Sequence, residues 1–223
     1  LCGYFFLSMS ISLFFLFPVL LARFNSSKSQ IGLIMGIHSL MAIFIRPFFG
    51  RLIDIRGRKK ISLFGTAFMI VVLPFFHLVR DAGWLPFFLR AMTGIGWGVS
   101  MTATLTICSD LTPVQKLAHS LGIVGVAGLL SSALGPLLAE GIINRFGFGA
   151  LFNTSLVFLF VSFLCILLSR EVERPDQSDQ ILRSKSGLPV SALAFLFIFM
   201  LPIVHGGVRG AIVYFIAVFA KSI

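Results

Sequence analysis

Long apolar runs separated by short polar links divide the chain into seven segments. Each run has about the 20 residues that a helix needs to cross the hydrocarbon core of a bilayer. The runs are about twice as long as a tilted barrel strand and do not alternate in polarity. The pattern therefore predicts an all-α polytopic membrane protein, with spans at residues 3–22, 31–49, 61–79, 84–108, 117–138, 148–169 and 188–219.

Composition supports a membrane protein over a soluble domain. The chain is 57% hydrophobic with 26 Phe and only 12% charged, and its mean hydropathy is +1.01. Average soluble chains are about 45–50% apolar and about 25% charged. The net charge of +10 lies in short links between apolar runs, which favours a role in membrane orientation over nucleic-acid binding.

The only long charged stretch, residues 170–187, follows the sixth run. It predicts a linker between a six-helix domain over residues 1–169 and a second transmembrane domain that begins within 188–223. The linker could equally be a long loop, and the number of helices before it is the reason to place a boundary here.

The links also predict orientation. If residues 50–60 face the cytoplasm, that side carries ten Lys and Arg residues and the other side five. Because cytoplasmic loops are enriched in these residues, the count predicts a cytoplasmic connector in an inner or plasma membrane of bacterial type.

The sequence shows no signature of an enzyme or of a cofactor. The three cysteines are isolated within apolar runs, without the spacing of a metal site. We therefore expect no catalytic residues, no metal and no cofactor.

The connector between the second and third spans combines glycines, one acid and basic residues. Gly50 and Asp54 are four apart and share a helix face, and Gly57, Arg58 and Lys59 follow. This pattern resembles the signature between helices two and three of the major facilitator superfamily, although Ile55 stands where that family usually has a basic residue. The resemblance implies a conformational latch between two halves of a transporter, with Asp54 paired to Arg58 or facing the positive end of a neighbouring helix.

A second resemblance lies in the fourth span, where Arg90 precedes Gly94 in the order of the family's helix-four pattern. Gly94 and Gly98 also form a face suited to close helix packing. An arginine inside a membrane span usually faces a cavity or a partner, although a side chain this near Trp84 could also reach the membrane surface. His38 and His205 are isolated in apolar runs and are candidates for proton coupling, with a structural hydrogen bond as the alternative.

The fifth span contains Gly135 and Pro136, which resemble the Gly-Pro signature of antiporters in the family. Proline bends a helix and frees a carbonyl. The match is partial, since Ser131 and Ala139 stand where glycines are common. It favours export over import.

These resemblances imply the amino-terminal half of a facilitator plus its seventh helix, with the rest of the carboxy-terminal half missing. The expected function is secondary transport of a small molecule by alternating access, coupled to an ion or a proton, with membrane lipid as the surroundings. A seven-helix receptor or light sensor is the alternative, weakened because Lys221 lies at the very end of the last run. A membrane scaffold that transports nothing is a further alternative.

Overall fold

The computed structural model describes residues 1–169, apart from the side chains of Arg51, Asp54 and Val114. The predicted linker at 170–187, the seventh span and His205 lie outside the described residues. Within them every element is helical, as the apolar pattern predicts. The α-helices are α1 (Cys2–Ser12), α2 (Phe17–Arg23), α3 (Lys28–Arg56), α4 (Arg58–Val72), α5 (Trp84–Asp110) and α6 (Leu117–Leu168).

The predicted span at 84–108 coincides with α5, but α5 is not among the segments that are long and apolar enough to cross a membrane. Four segments are: Cys2–Arg23, Lys28–Gly50, Arg58–Leu78 and Leu117–Leu168. The last comprises two helices, because Gly147 interrupts it with a non-helical backbone at φ 79° and ψ −179°. The apolar pattern predicts the end of the fifth span at residue 138, but the helix continues past it to the interruption at Gly147. Gly147 can adopt this backbone conformation because it has no side chain, and a positive φ is readily available only to glycine.

Two spans contain 3-10 segments that the apolar pattern does not reveal. One covers Leu13–Leu16, just before Pro18, and the other covers Leu73–Leu78, which contains Pro74. Proline has no backbone N–H to continue the α-helical hydrogen bonds, so the chain tightens at both places. The first span is therefore two short α-helices with a break between them.

The connector is much shorter than predicted. α3 continues through Arg56 and α4 begins at Arg58, so that Gly57 is the whole link. Its φ of 95° and ψ of 139° lie where residues other than glycine are strained. The start of α3 is conventional, with Ser27 and Gln30 forming a reciprocal capping box.

α1 packs along both parts of α6. Ser10 and Ser155 share a hydroxyl–hydroxyl hydrogen bond of 2.6 Å, and Ser162 donates to the Gly3 carbonyl at 2.8 Å. Ser131 donates to the Phe5 carbonyl at 3.2 Å. Small hydroxyl side chains bring membrane helices close together while satisfying their own polar groups, so these contacts hold the first span to the last two.

α5 packs between α3 and α4, through hydroxyl hydrogen bonds on one side and a close glycine contact on the other. On the α4 side, Thr66 and Ser100 are hydrogen-bonded at 3.2 Å and Ser62 and Thr104 at 3.0 Å. On the α3 side, a Cβ added to Gly94 would overlap the His38 carbonyl. The predicted packing role of Gly94 therefore has a specific partner in the structure.

We expect the substitution Gly94→Ala to lower the thermal unfolding midpoint of the detergent-solubilised protein by several degrees. The added methyl group must push α3 away from α5, and overpacking of this kind costs about 1–3 kcal/mol. Gly36→Ala is the matched control, because it places the same methyl group on α3 where nothing lies within 4 Å. Equal midpoints for the two variants would contradict the close contact.

Candidate functional site

Helix ends meet at the side of the bundle that contains Gly57, which we call the connector end. α3 ends and α4 begins there, and side chains of α4 reach the last residue of α5 and the residue that follows α6. At the opposite end, the guanidinium of Arg23 lies 5.1 Å from the ring centroid of Phe148. The contacts at the two ends therefore differ: an ion pair and a lysine–carbonyl hydrogen bond at one, and a cation–π contact at the other.

Arg58 forms an ion pair with Asp110 at the connector end. The two side chains are only 14% and 5% exposed, so the pair is largely shielded from water. Arg58 is the first residue of α4 and Asp110 the last of α5. Each charge is on the unfavourable end of its own helix dipole, and the ion pair offsets that unfavourable interaction for both.

Lys59 makes the second charged contact at this end. Its Nζ donates a hydrogen bond of 2.6 Å to the carbonyl of Ser169, the residue that caps the end of α6. A lysine is well suited there, since the last carbonyls of a helix lack partners within it and carry partial negative charge. Consecutive basic residues thus bind the ends of two different helices.

Gly50 and Asp54 lie one turn apart near the end of α3, as predicted. A Cβ at Gly50 would meet nothing within 4 Å, so no other described residue packs closely on α3 at this position. The side chain of Asp54 is outside the described part of the structure, and its predicted partner stays a prediction. The partner of Arg58 is described, and it is Asp110.

Arg90 lies inside the bundle and does not reach the membrane surface. It is 2% exposed, and its guanidinium carbon lies 5.5 Å from the ring centroid of Phe14 and 5.9 Å from that of Phe17. Both distances are within the range of cation–π attraction. Phe14 lies in the 3-10 break and Phe17 at the start of α2, so Arg90 packs against the interrupted part of the first span.

The same aromatic cluster includes Phe76 and Phe152. The Phe14 ring centroid is 4.9 Å from that of Phe76 and 5.8 Å from that of Phe152. Four rings from three spans therefore fill the interior beside Arg90. This packing leaves the guanidinium in surroundings of low dielectric constant, where its electrostatic interactions are strong.

His38 is also buried, at 6% exposure. Its Nδ1 lies 3.4 Å from Oγ1 of Thr93, and that hydroxyl donates to the Arg90 carbonyl at 3.1 Å. The structural hydrogen bond that was the alternative for His38 is therefore present. His38 and Arg90 are joined through Thr93 at the contact between α3 and α5.

The structure does not bring the predicted residues into one site. Arg90 and Asp110 are 20 positions apart on α5, or about 30 Å along the helix axis at 1.5 Å per residue. The predicted residues thus form two groups: the connector group (Gly50, Asp54, Gly57, Arg58, Lys59) and the buried group around Arg90 and His38. Both groups include residues that contact α5.

Helix-packing residues predicted from the sequence lie at contacts between spans. A Cβ at Gly98 would come within 2.7 Å of the Ala42 carbonyl on α3. A Cβ at Gly135 would overlap the Ser12 side chain at the end of α1, and Pro136 follows inside α6. Ser131 and Ala139, each 0% exposed, continue this stripe of small residues along the face that meets the first span.

Sequence reasoning missed four participants. Asp110 lies just after the predicted fourth span, and an acid at the end of a membrane run is a signal that could have found it. Thr93 is one turn from Arg90 and has no distinctive pattern. Phe14 and Phe17 could not be separated from the other 24 phenylalanines. Among residues 1–169, no cluster of His, Cys, Asp and Glu could hold a metal ion.

Comparison with known proteins identifies the architecture. The family model of the Major Facilitator Superfamily matches residues 1–222. The chain belongs to the major facilitator superfamily. It is an integral membrane protein, and the match along residues 1–222 confirms the resemblance seen in the connector.

Relatives in the superfamily come from bacteria. The uncharacterized MFS-type transporter YuxJ of Bacillus subtilis (strain 168) is 31% identical over 74% of this chain and 41% of its own length. Multidrug resistance protein MdtG of Enterobacter lignolyticus (strain SCF1) is 29% identical over 69% of this chain and 37% of its own. Multidrug resistance protein 3 of Bacillus subtilis (strain 168) is 38% identical over 41% of this chain and 18% of its own length. The chain thus spans less than half the length of the superfamily members it matches.

Exchanging the charges of the ion pair tests its physical basis. Arg58→Gln and Asp110→Asn each leave one shielded charge without its partner, and we expect each to destabilise the protein by about 3 kcal/mol. The double exchange Arg58→Asp with Asp110→Arg should restore stability at least fully, because each charge then also matches its helix dipole. Denaturant unfolding in detergent gives the four values. A double variant as unstable as the worse single variant would contradict this account.

Proposed function

We propose that the complete protein is a secondary transporter that exports small molecules by alternating access. Membership in the superfamily supports transport, and two relatives carry the words multidrug resistance in their names. The Gly135-Pro136 pair, with its partial match to the antiporter signature, supports export. Residues 1–169 would form the amino-terminal bundle, 170–187 a cytoplasmic linker, and 188–223 the first helix of the second bundle.

The observation that carries this proposal is the burial of Arg90. A cation within a membrane span is expensive and is usually retained at a substrate or ion pathway. Here it is 2% exposed and stacked on Phe14 and Phe17. An arginine that reached the membrane surface would stay in contact with water in any conformation. Arg90 is buried, so a change in the packing around it would change the free energy of its charged side chain.

Coupling to protons is the next step in the proposal. His38 contacts the Thr93 hydroxyl, which donates to the main-chain carbonyl of Arg90, and histidine is a side chain that can gain and lose a proton. Protonation of His38 would place a second positive charge close to Arg90 and favour an arrangement in which the two move apart. The buried group is therefore a candidate coupling site, with His205 as a further candidate in the second bundle.

The connector group would act as the latch. The side chains of Arg58 and Lys59 bind the ends of α5 and the residue after α6, and thereby hold the connector rigidly on its own bundle. The α3 face with Gly50 and Asp54 is then presented to helices of the second bundle. Gly50 suits a close approach, because a Cβ there meets nothing in the described residues. Asp54 would face the positive end of a helix in that bundle.

The connector end would face the cytoplasm of a bacterial-type inner membrane. The excess of Lys and Arg on that side supports this orientation, and the relatives are bacterial. Positive charge at the cytoplasmic surface also suits the anionic lipid headgroups there.

The substitution Arg90→Lys should reduce proton-driven efflux at least tenfold. Lysine keeps the charge but loses the planar group that stacks on two rings. Everted vesicles containing the complete protein and a fluorescent bisbenzimide dye give the initial rate. Arg46→Lys is the matched control, since Arg46 is exposed on α3 and donates only a long contact of 3.7 Å to the Met101 sulfur. Wild-type rates for Arg90→Lys would refute a role for Arg90 in transport.

The latch is tested by Asp54→Asn in the same complete protein. Removing the charge should weaken the closed cytoplasmic side, speed maleimide labelling of a cysteine introduced at Lys60 severalfold, and slow dye efflux. Glu140→Gln removes an exposed carboxylate from α6 and should change neither reading. Unaltered labelling and efflux in Asp54→Asn would rule out the latch.

A further inference from the structure

A cavity of about 340 Å³ opens near the connector end of the bundle. It lies between the start of α1, the last turns of α5, and both ends of α6. It is away from the aromatic cluster, whose rings occupy the space beside Arg90. Its size is at the lower end of the range for small-molecule sites, which is about 300–1,000 Å³.

The chemistry of the lining is selective. No Asp, Glu, Lys, Arg or His lines the cavity among the described residues, and aliphatic side chains such as Ile107, Ile123 and Val124 form much of the wall. A charged ligand placed there would lose its hydration without gaining a counter-charge, which is unfavourable. An uncharged and mostly apolar ligand meets no such penalty.

Several hydroxyls of the lining already have partners. Thr104 is hydrogen-bonded to Ser62 at 3.0 Å, Thr112 donates to the Cys108 carbonyl at 2.7 Å, and Ser169 donates to the Ile166 carbonyl at 2.6 Å. These groups do not need a ligand to satisfy them. They make the wall less polar than its composition suggests.

Tyr4 is different. It is 7% exposed, its ring packs with Val124 and Ala127, and it lines the cavity. Gly128 makes room for it, because a Cβ there would lie 3.2 Å from the Tyr4 hydroxyl. Gly128 is therefore the glycine of the fifth span that contacts Tyr4, whereas a Cβ added to Gly122 or Gly125 would meet nothing within 4 Å. Among the described residues, no hydrogen bond is found for the hydroxyls of Tyr4 and Ser120 in the lining, and Tyr4 is the more buried of the two, which makes it the candidate polar handle of the cavity.

We propose that this cavity is a binding site for an uncharged, largely apolar small molecule. The molecule carries one acceptor group, which accepts a hydrogen bond from the Tyr4 hydroxyl. The site is separate from Arg90 and belongs to the amino-terminal bundle alone. It can be tested by binding without a gradient, so that its failure leaves the transport proposal standing, and a failure of transport leaves the site standing.

The probe is a neutral naphthalene ketone dye with a dimethylamino group, whose emission shifts to the blue in apolar surroundings. We expect saturable binding to the complete protein in lipid nanodiscs. Val124→Phe should weaken binding at least tenfold by filling the cavity, and Val126→Phe, which adds the same ring at a 63% exposed position on the same helix, should not. Tyr4→Phe should weaken it about fivefold, as expected for one neutral hydrogen bond. The quaternary ammonium analogue of the dye should not bind.

A second measurement does not require the cavity-filling variant Val124→Phe to fold. Cys108 and Cys165 both line the cavity, and in a Cys2→Ser, Cys165→Ser background the neutral dye should slow maleimide labelling of Cys108. The proposal is overturned by any of four results: no saturable binding, equal effects of Val124→Phe and Val126→Phe, equal binding of the cationic dye, or binding in detergent that disappears in nanodiscs. The last result would mean that a lipid chain occupies the cavity.

Discussion

The requirement to bury charge within α5 shapes most of the described structure. Arg90 and Asp110 lie on one long helix of a membrane bundle, and neither is tolerated there without close neighbours. Arg90 is covered by the aromatic rings of the first span, and Asp110 by Arg58 at the start of α4. Both arrangements need α5 to approach its neighbours tightly. Gly94 and Gly98 permit this on the α3 side, and the Ser62, Thr66, Ser100 and Thr104 hydroxyls hold the α4 side.

The break in the first span lies where Arg90 is covered. Phe14, in the 3-10 segment at Leu13–Leu16, and Phe17, at the start of α2, are three positions apart and both lie over its guanidinium. Pro18 interrupts the helix, and the Arg90 side chain packs at the place where the interruption occurs. In α1, before the break, polar contacts such as that of Ser10 with Ser155 hold the span against α6.

The sequence was sufficient for the helical class, for the approximate positions of the helices within residues 1–169 and for the family, because all three depend on local patterns of apolar length and on one motif. It also located Gly94, Gly98 and Gly135 at helix contacts, since small residues in membrane spans have few other uses. It could not predict the partner of Arg58. Ion pairing between distant residues depends on where helices end in space, and Asp110 lies 52 positions away in the chain. It also overestimated the connector, because charged residues in Arg51–Arg56 look like a loop although they continue α3.

The connector group and the buried group contact the same rigid element. An α-helix fixed by close packing along its length moves as a unit, so a shift of α5 relative to α4 would disturb the Arg58–Asp110 pair and the surroundings of Arg90 together. The Lys59 contact adds the end of α6 to the same assembly, just before residue 170, where the predicted linker begins. The proposed latch and coupling roles require these two places to respond to one motion. In this bundle, α5 is the element that meets that need, and its glycines determine how closely it can be held.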